Sequence, residues 1–312
     1  MNIMNKAAFF CLLMLTISAC SDNEEQQQTN KSAEYLARAE SYFNQGQYKV
    51  AIIEIKNSLQ ADNNNIEAYN LLASTYFEQG KHRQSIALLN TLPEKNSEST
   101  LLLAKNYIIL GKAKSTLETL QAAFDKGQLN DNFEAKFIEI KALVILNEIS
   151  ASQKRMKTLH SLAQTSEQQS DAALAQAMIY AKSNKRTQQL TELEKALKLN
   201  ENNIEALLML ARYKFNNDDL EAAEDYLSQA LFTLPSTDSM TLQRLQVLRA
   251  MVATLSKQGR SSEAMIYSKL IAEANPRAQE LEAEFQEAVD AIKAGDITTA
   301  STILENLYSS NP

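Results

Sequence analysis

The sequence predicts an all-α protein made of repeated helix–turn–helix pairs, and three observations carry that expectation. Helix breakers are scarce, with 6 Gly and 4 Pro in 312 residues. Those breakers are regularly spaced: Gly46 and Gly80 lie 34 residues apart, as do Asn184 and Asp218, and Gly111, Gly259 and Gly295 sit in similar contexts. Pro235, Pro276 and Pro312 each follow a turn residue by seventeen positions. On both sides of each turn the apolar residues recur at helical spacing, as in "AESYFNQGQYKVAIIEIKNSL" and "AVDAIKAGDITTASTILENLY".

Residues 1–19 read as an export signal. Lys6 charges a short leading region, and Ala7 to Ile17 form an apolar core too short to remain as a spanning anchor. The run Ile17-Ser18-Ala19-Cys20 resembles the lipobox of bacterial lipoproteins. The resemblance implies cleavage before Cys20 and lipidation of its thiol with acyl chains such as palmitate. Each buried methylene contributes about 0.8 kcal/mol, so several chains on one cysteine hold a protein on a membrane. Cys11 is the other cysteine and leaves with the signal, so the folded part has neither a disulfide nor a thiol nucleophile. Ser21, rather than Asp, follows the lipidated position. By the same resemblance this implies the outer membrane, with the protein facing the periplasm. Residues 20–31 then form the lipidated cysteine and a tether; Ser21 to Lys31 has nothing apolar and is expected to be disordered.

From Ser32 to Pro312 the pattern gives eight units, starting near Ser32, Ile66, Ser97, Asp131, Ser170, Ile204, Leu245 and Leu281. The fourth, "NFEAKFIEIKALVILNEISASQKRMKTLHSL", has helical periodicity but no turn glycine. Small residues recur at one position of each first helix, at Ala39, Ala73, Ala104, Ala177, Ala211 and Ala288. They recur on second helices at Ala51, Ala223, Ala264 and Ala300, and near their ends at Ala123, Ala196 and Ala230. Thr116 and Gln189 are larger exceptions. This pattern resembles the tetratricopeptide repeat, a 34-residue helix–turn–helix unit in which a methyl-sized side chain lets two helix axes approach closely. The resemblance implies a right-handed superhelical solenoid of about eight helix–turn–helix repeats.

Composition narrows the function. A net charge of −7 with no basic stripe speaks against a nucleic-acid partner, since phosphate neutralisation needs clustered Lys and Arg. No phosphate loop, nucleophile elbow or metal-ligand spacing is present in the sequence. His82 and His160 lie on second helices of different repeats and read as surface residues. The expectation is therefore a binding scaffold that is not an enzyme, with no cofactor or metal; a hydrolytic enzyme built on a helical solenoid is the alternative from another class.

A tetratricopeptide solenoid presents a concave surface lined by first helices. The resemblance places Leu36, Glu40, Phe43, Asn70, Ser74, Phe77, Lys105, Arg212 and Phe215 on that partner-binding surface, together with Leu101, Ile108 and Leu208. Phe43, Phe77 and Phe215 share one register position, where they either bind a partner or pack between units. The carboxylate clamp that some relatives use to grip a chaperone's C-terminus is missing, because Leu36, Glu40, Leu71, Glu98 and Leu102 stand in its places. The opening stretch, above all "AIIEIKNSLQ", is similar to tetratricopeptide lipoproteins of exosortase (PEP-CTERM) sorting and exopolysaccharide export. That implies protein partners in a cell-envelope complex; a pilotin, an outer-membrane assembly subunit and an adaptor for peptidoglycan enzymes are the competing roles. Finally, Ile303, Leu304 and Leu307 near the last residue have no following helix to cover them. Either the natural chain continues, or this end docks against a partner or a second copy; if 312 is the true end, self-association through the C-terminal repeat is expected.

Overall fold

The structure is a computed structural model that describes residues 26–274 and 287–310. Among the described residues it holds sixteen α-helices and no strand. They run in eight pairs: α1 (26–44) with α2 (Tyr48–Ala61), α3 (Ile66–Glu78) with α4 (His82–Thr91), and α5 (Ser97–Ile109) with α6 (Ala113–Asp125). Next come α7 (Phe133–Ile145) with α8 (Ile149–Leu162), and α9 (Ser166–Lys182) with α10 (Arg186–Leu199). The last are α11 (Ile204–Asn216) with α12 (Leu220–Thr233), α13 (Leu242–Lys257) with α14 (Ser261–Ala274), and α15 (described over 287–293) with α16 (Ile297–Ser310). Packing divides the chain into two units: Met1–Leu207 with Thr233–Leu242, and Leu208–Phe232 with Gln243–Pro312.

One turn chemistry joins the two helices of all eight pairs, and Gly127 uses it again after α6. Gly46, Gly80, Gly111, Asn147, Asn184, Asp218, Gly259 and Gly295 all have positive φ. The N–H of the residue after each reaches back to a carbonyl five positions earlier, as in Gln47 to Tyr42 (2.9 Å) and Lys185 to Tyr180 (2.9 Å). That satisfies a helix-end carbonyl and reverses the chain in three residues. First helices begin on side-chain caps: Asn65, Asn96 and Asn132 accept from the N–H groups of Ala68, Ser99 and Ala135, and Thr165 with Gln168 forms a reciprocal capping box.

The small positions are where helices touch. Ala39, Ala51, Ala73, Ala104, Ala177, Ala196, Ala223 and Ala230 have no exposed surface, and Ala123, Ala211, Ala264, Ala288 and Ala300 are buried. Thr116 also fits, fully buried, with its hydroxyl donating to the Lys112 carbonyl at 3.2 Å. Around these contacts Ile55, Leu89, Leu120, Ile140, Leu159 and Leu193 are sealed from water, each contributing roughly 1.5–3 kcal/mol.

Three expectations need correction or restriction. Residues 26–31, assigned to the disordered tether, are the exposed first turns of α1. Burial begins at Ser32, and a helix anchored there extends backwards over Gln and Lys at little cost because only nucleation is expensive. The fourth unit does turn on a left-handed residue, Asn147, which lies 36 residues after Gly111 and so escapes a 34-residue search. The signal, Cys20, the rest of the tether, Pro276, Pro312 and the start near Leu281 lie outside the described residues. At the C-terminal end Ile303 is half-buried and Leu304 exposed, while the side chain of Leu307 is outside the description. No helix among the described residues is long and apolar enough to cross a membrane.

The first unit also contains a contact that links residues 190 positions apart. Helix α2 has no capping side chain of its own. Asp238 supplies one, its carboxylate accepting from the N–H groups of Tyr48 (3.1 Å) and Lys49 (3.0 Å) while its own N–H donates to the Gly46 carbonyl (3.0 Å). Gln79 donates to the Ser239 hydroxyl at 3.3 Å. Residues 236–239 thus strap the turns of the first and second repeats.

Candidate functional site

The first helices α1, α3 and α5 build a groove in the first unit. Its cavity of about 350 Å3 is lined by Glu40, Phe43 and Asn44 of α1, Leu71, Ser74, Phe77 and Glu78 of α3, and Glu98, Leu102 and Lys105 of α5. Within each helix most of these residues are three or four apart, with Asn44 and Glu78 next to Phe43 and Phe77, so they cluster on one side of the helix. Between α1 and α3 they repeat at the 34-residue offset: Glu40 with Ser74, Phe43 with Phe77, Asn44 with Glu78.

Both rings are fixed from behind. Phe43 lies 5.3 Å from the Tyr48 ring, and Phe77 meets His82 edge-on at 5.2 Å. Each packs against a neighbouring ring and also lines the cavity. The groove's charge is lopsided. Lys105 forms a salt bridge with Glu134, which is not part of the lining. Glu40 and Glu78 form no salt bridge among the described residues. Burial pushes the Glu78 carboxyl above its usual range, with Lys105 opposing. At the edge, the Tyr48 hydroxyl is pushed up to about 12 by burial, with Glu78 and Asp238 adding to it.

The structure thus brings together Glu40, Phe43, Ser74, Phe77 and Lys105 of the expected surface. It turns others away. Leu36 packs on the core of Ala39, Ile55, Ala68 and Leu72, and Leu101 and Ile108 join the next core. Asn70 is a correction: it is 1% exposed, donating to Asn96 (3.3 Å) and Glu98 (3.2 Å) and accepting from Ser99 (2.6 Å). A buried amide surrounded by partners serves the α3–α5 contact. Arg212 and Phe215 belong to the second unit, where Arg212 is exposed and the Lys257 ammonium lies 4.5 Å from the Phe215 ring centre. Asn44 and Glu78 escaped the sequence reading; the 34-residue offset that pairs them was the signal that could have found them. A second cavity, of about 570 Å3, lies in the second unit around Asp218, Glu224 and Arg260. Its guanidinium is already taken by Glu224 and Glu263.

His82 is a second correction, because it is buried rather than on the surface. The Asn106 amide donates to the Ser85 hydroxyl (2.9 Å) and the Leu102 carbonyl (2.8 Å), leaving its oxygen to accept from His82 Nδ1 at 3.1 Å. Nδ1 therefore carries the proton, and the buried Nε2 has no partner. Burial holds the imidazole below its ordinary pKa, against the pull of the Asn106 bond. Protonation would create a buried cation and an orphan donor. Stability supplied by neutral His82 should be lost as pH falls below about 6.5. Asp171, raised to about 6 chiefly by burial, acts in the opposite sense, so the difference between the native protein and His82→Gln is the quantity to follow. Urea titrations from pH 7.5 to 5 should show the native protein losing up to about 1.4 kcal/mol per pH unit relative to the variant. Parallel curves would contradict the burial.

Among the described residues no group of three or more His, Cys, Asp and Glu is placed to hold a metal ion.

Residues 1–92 match the family model described as "Anaphase-promoting complex, cyclosome, subunit 3". No curated protein matches the sequence. Among solved structures, the APC/C hetero-tetramer Cut9-Hcn1 aligns with a TM-score of 0.52 at 14% identity, over 89% of this chain and 52% of the other. The chain therefore spans about half the length of that relative. A tetratricopeptide repeat protein from Parabacteroides merdae aligns with a TM-score of 0.51 at 14% identity, over 78% of this chain and 93% of the other. At such identities the likeness concerns fold. Paired helices, left-handed turn residues and sealed alanine contacts agree with it: the fold is of the tetratricopeptide type.

Proposed function

We propose that the protein is a membrane-anchored scaffold of the cell envelope whose first three repeats hold a protein partner. The groove carries this reading: three consecutive first helices aim two half-buried rings, two leucines and three carboxylates into one cavity of about 350 Å3. The lipobox-like run ending at Cys20 and the polar residues behind it support an acyl anchor in the outer membrane, with the groove facing the periplasm. The likeness of "AIIEIKNSLQ" to exopolysaccharide-export and protein-sorting lipoproteins supports a place in such a complex. The role is binding rather than catalysis, and it uses no cofactor or metal.

Ser74 lies half-buried in the groove lining and makes a clean test, because an indole there fills the cavity without removing any packed side chain. Ser74→Trp should reduce partner recovery from detergent-solubilised envelope at least about tenfold, the effect of losing roughly 1.4 kcal/mol of binding. Circular dichroism should be unchanged. Full recovery by the variant would refute the groove as the partner site.

A further inference from the structure

We infer that the segment held in this groove presents an arginine side chain to Glu40, Glu78 and Glu98, with its stem on Phe43 and Phe77. The inference rests on the reading of the groove as the partner site and names the chemistry of its occupant.

Charge complementarity selects the occupant. The lining holds three carboxylates and one ammonium, and that ammonium is bridged to Glu134 outside the lining. Glu98 accepts only the neutral Asn70 amide, and Glu40 and Glu78 have no salt bridge among the described residues. Unbalanced carboxylates in a concave, partly apolar wall focus a negative field that attracts cations and repels acidic segments. Burial already disfavours the Glu78 carboxylate, so a cation beside it relieves a cost that water no longer covers.

Shape and surface favour arginine in particular. Leu71, Leu102 and the two phenylalanines give an apolar floor, and each ring is braced from behind by Tyr48 or His82. A guanidinium stacks on an aromatic face, keeps its charge, and spans two carboxylates with its planar fork. A cavity of about 350 Å3 admits one or two long side chains of an extended segment, not a folded domain. This is the charge inverse of the lysine- and arginine-lined clamp that the sequence lacks.

The test uses the mature chain and three fluorescein-labelled twelve-residue peptides. One alternates leucine and arginine, one carries citrulline at every arginine (the same shape without the charge), and one carries glutamate. Anisotropy titrations should show the arginine peptide binding at least about tenfold tighter than the citrulline peptide, with the glutamate peptide weakest. Glu40→Gln combined with Glu78→Gln should erase the arginine–citrulline difference while leaving helicity unchanged. Equal affinity for arginine and citrulline, a preference for glutamate, or no binding by any peptide would each overturn the inference. Its failure is distinguishable from that of the scaffold reading. Partner recovery that is lost with Ser74→Trp but unmoved by the Glu→Gln pair removes the arginine alone, whereas recovery unmoved by Ser74→Trp removes the groove.

Discussion

Replacing Gly46 by Asn is expected to destabilise the protein by about 1–3 kcal/mol more than the same replacement at Gly80. The two glycines have the same backbone, with φ of +72° and +73°. Asn tolerates that conformation better than other residues with a side chain, so backbone strain is small and nearly equal at both sites. Their surroundings differ. A Cβ at Gly46 would lie 2.7 Å from the Ser236 carbonyl oxygen and 2.9 Å from Thr237 Cγ2, while nothing lies within 4 Å of one at Gly80. The segment that must yield is the strap carrying Asp238, whose carboxylate caps α2. Loss of that cap alone costs about 1 kcal/mol. Thermal melts of the two variants, and of Asp238→Ala, would show the order. Equal melting temperatures for the Gly46 and Gly80 variants would contradict the close approach.

If the protein is the lipoprotein proposed above, its acyl anchoring depends on one atom, the sulfur of Cys20. Without a thiol no acyl chain can be added, and among the described residues no helix is apolar and long enough to substitute. Multiple acyl chains give essentially stable anchoring, and without them only an uncleaved signal would hold the chain on a membrane. Cys20→Ser should therefore yield a protein that is unlipidated and either retains its uncleaved signal or is lost from the membrane. Fractionation with metabolic palmitate labelling measures both. A variant that is processed normally and still sediments with outer membranes would sink the lipoprotein proposal.

The repeat framework was legible because it is local. Turn residues must adopt positive φ, and only Gly, Asn and Asp do so cheaply, so Gly46, Gly80, Gly111, Asn184, Asp218, Gly259 and Gly295 announced their turns. Asn147 did not, because the residues around Gly127 lengthen the preceding link and break the period. The alanines were legible for a similar reason: a helix contact that excludes everything larger than a methyl leaves a compositional mark. The strap was not legible. Asp238 and Tyr48 are 190 residues apart in the chain, and nothing in either sequence neighbourhood encodes their meeting. Asn70 and His82 show a second limit. Polar residues on first and second helices look like surface in a sequence, yet Asn70 meets Asn96 and Ser99, and His82 meets Asn106, only across a helix interface. The groove lay between these extremes, since the resemblance to the tetratricopeptide repeat placed Glu40, Phe43, Ser74, Phe77 and Lys105 on its lining, while the core claimed Leu36.

The partner site is tested most directly by a photo-crosslinking amino acid placed at Glu40, at Ser74 and, as the contrasting position, at Glu118, which is exposed on α6. After irradiation of intact cells, the groove positions should each give a discrete higher-mass band containing this protein and one partner, and Glu118 should give none. Crosslinking at Glu118 with nothing at Glu40 and Ser74 would contradict a partner held by α1, α3 and α5.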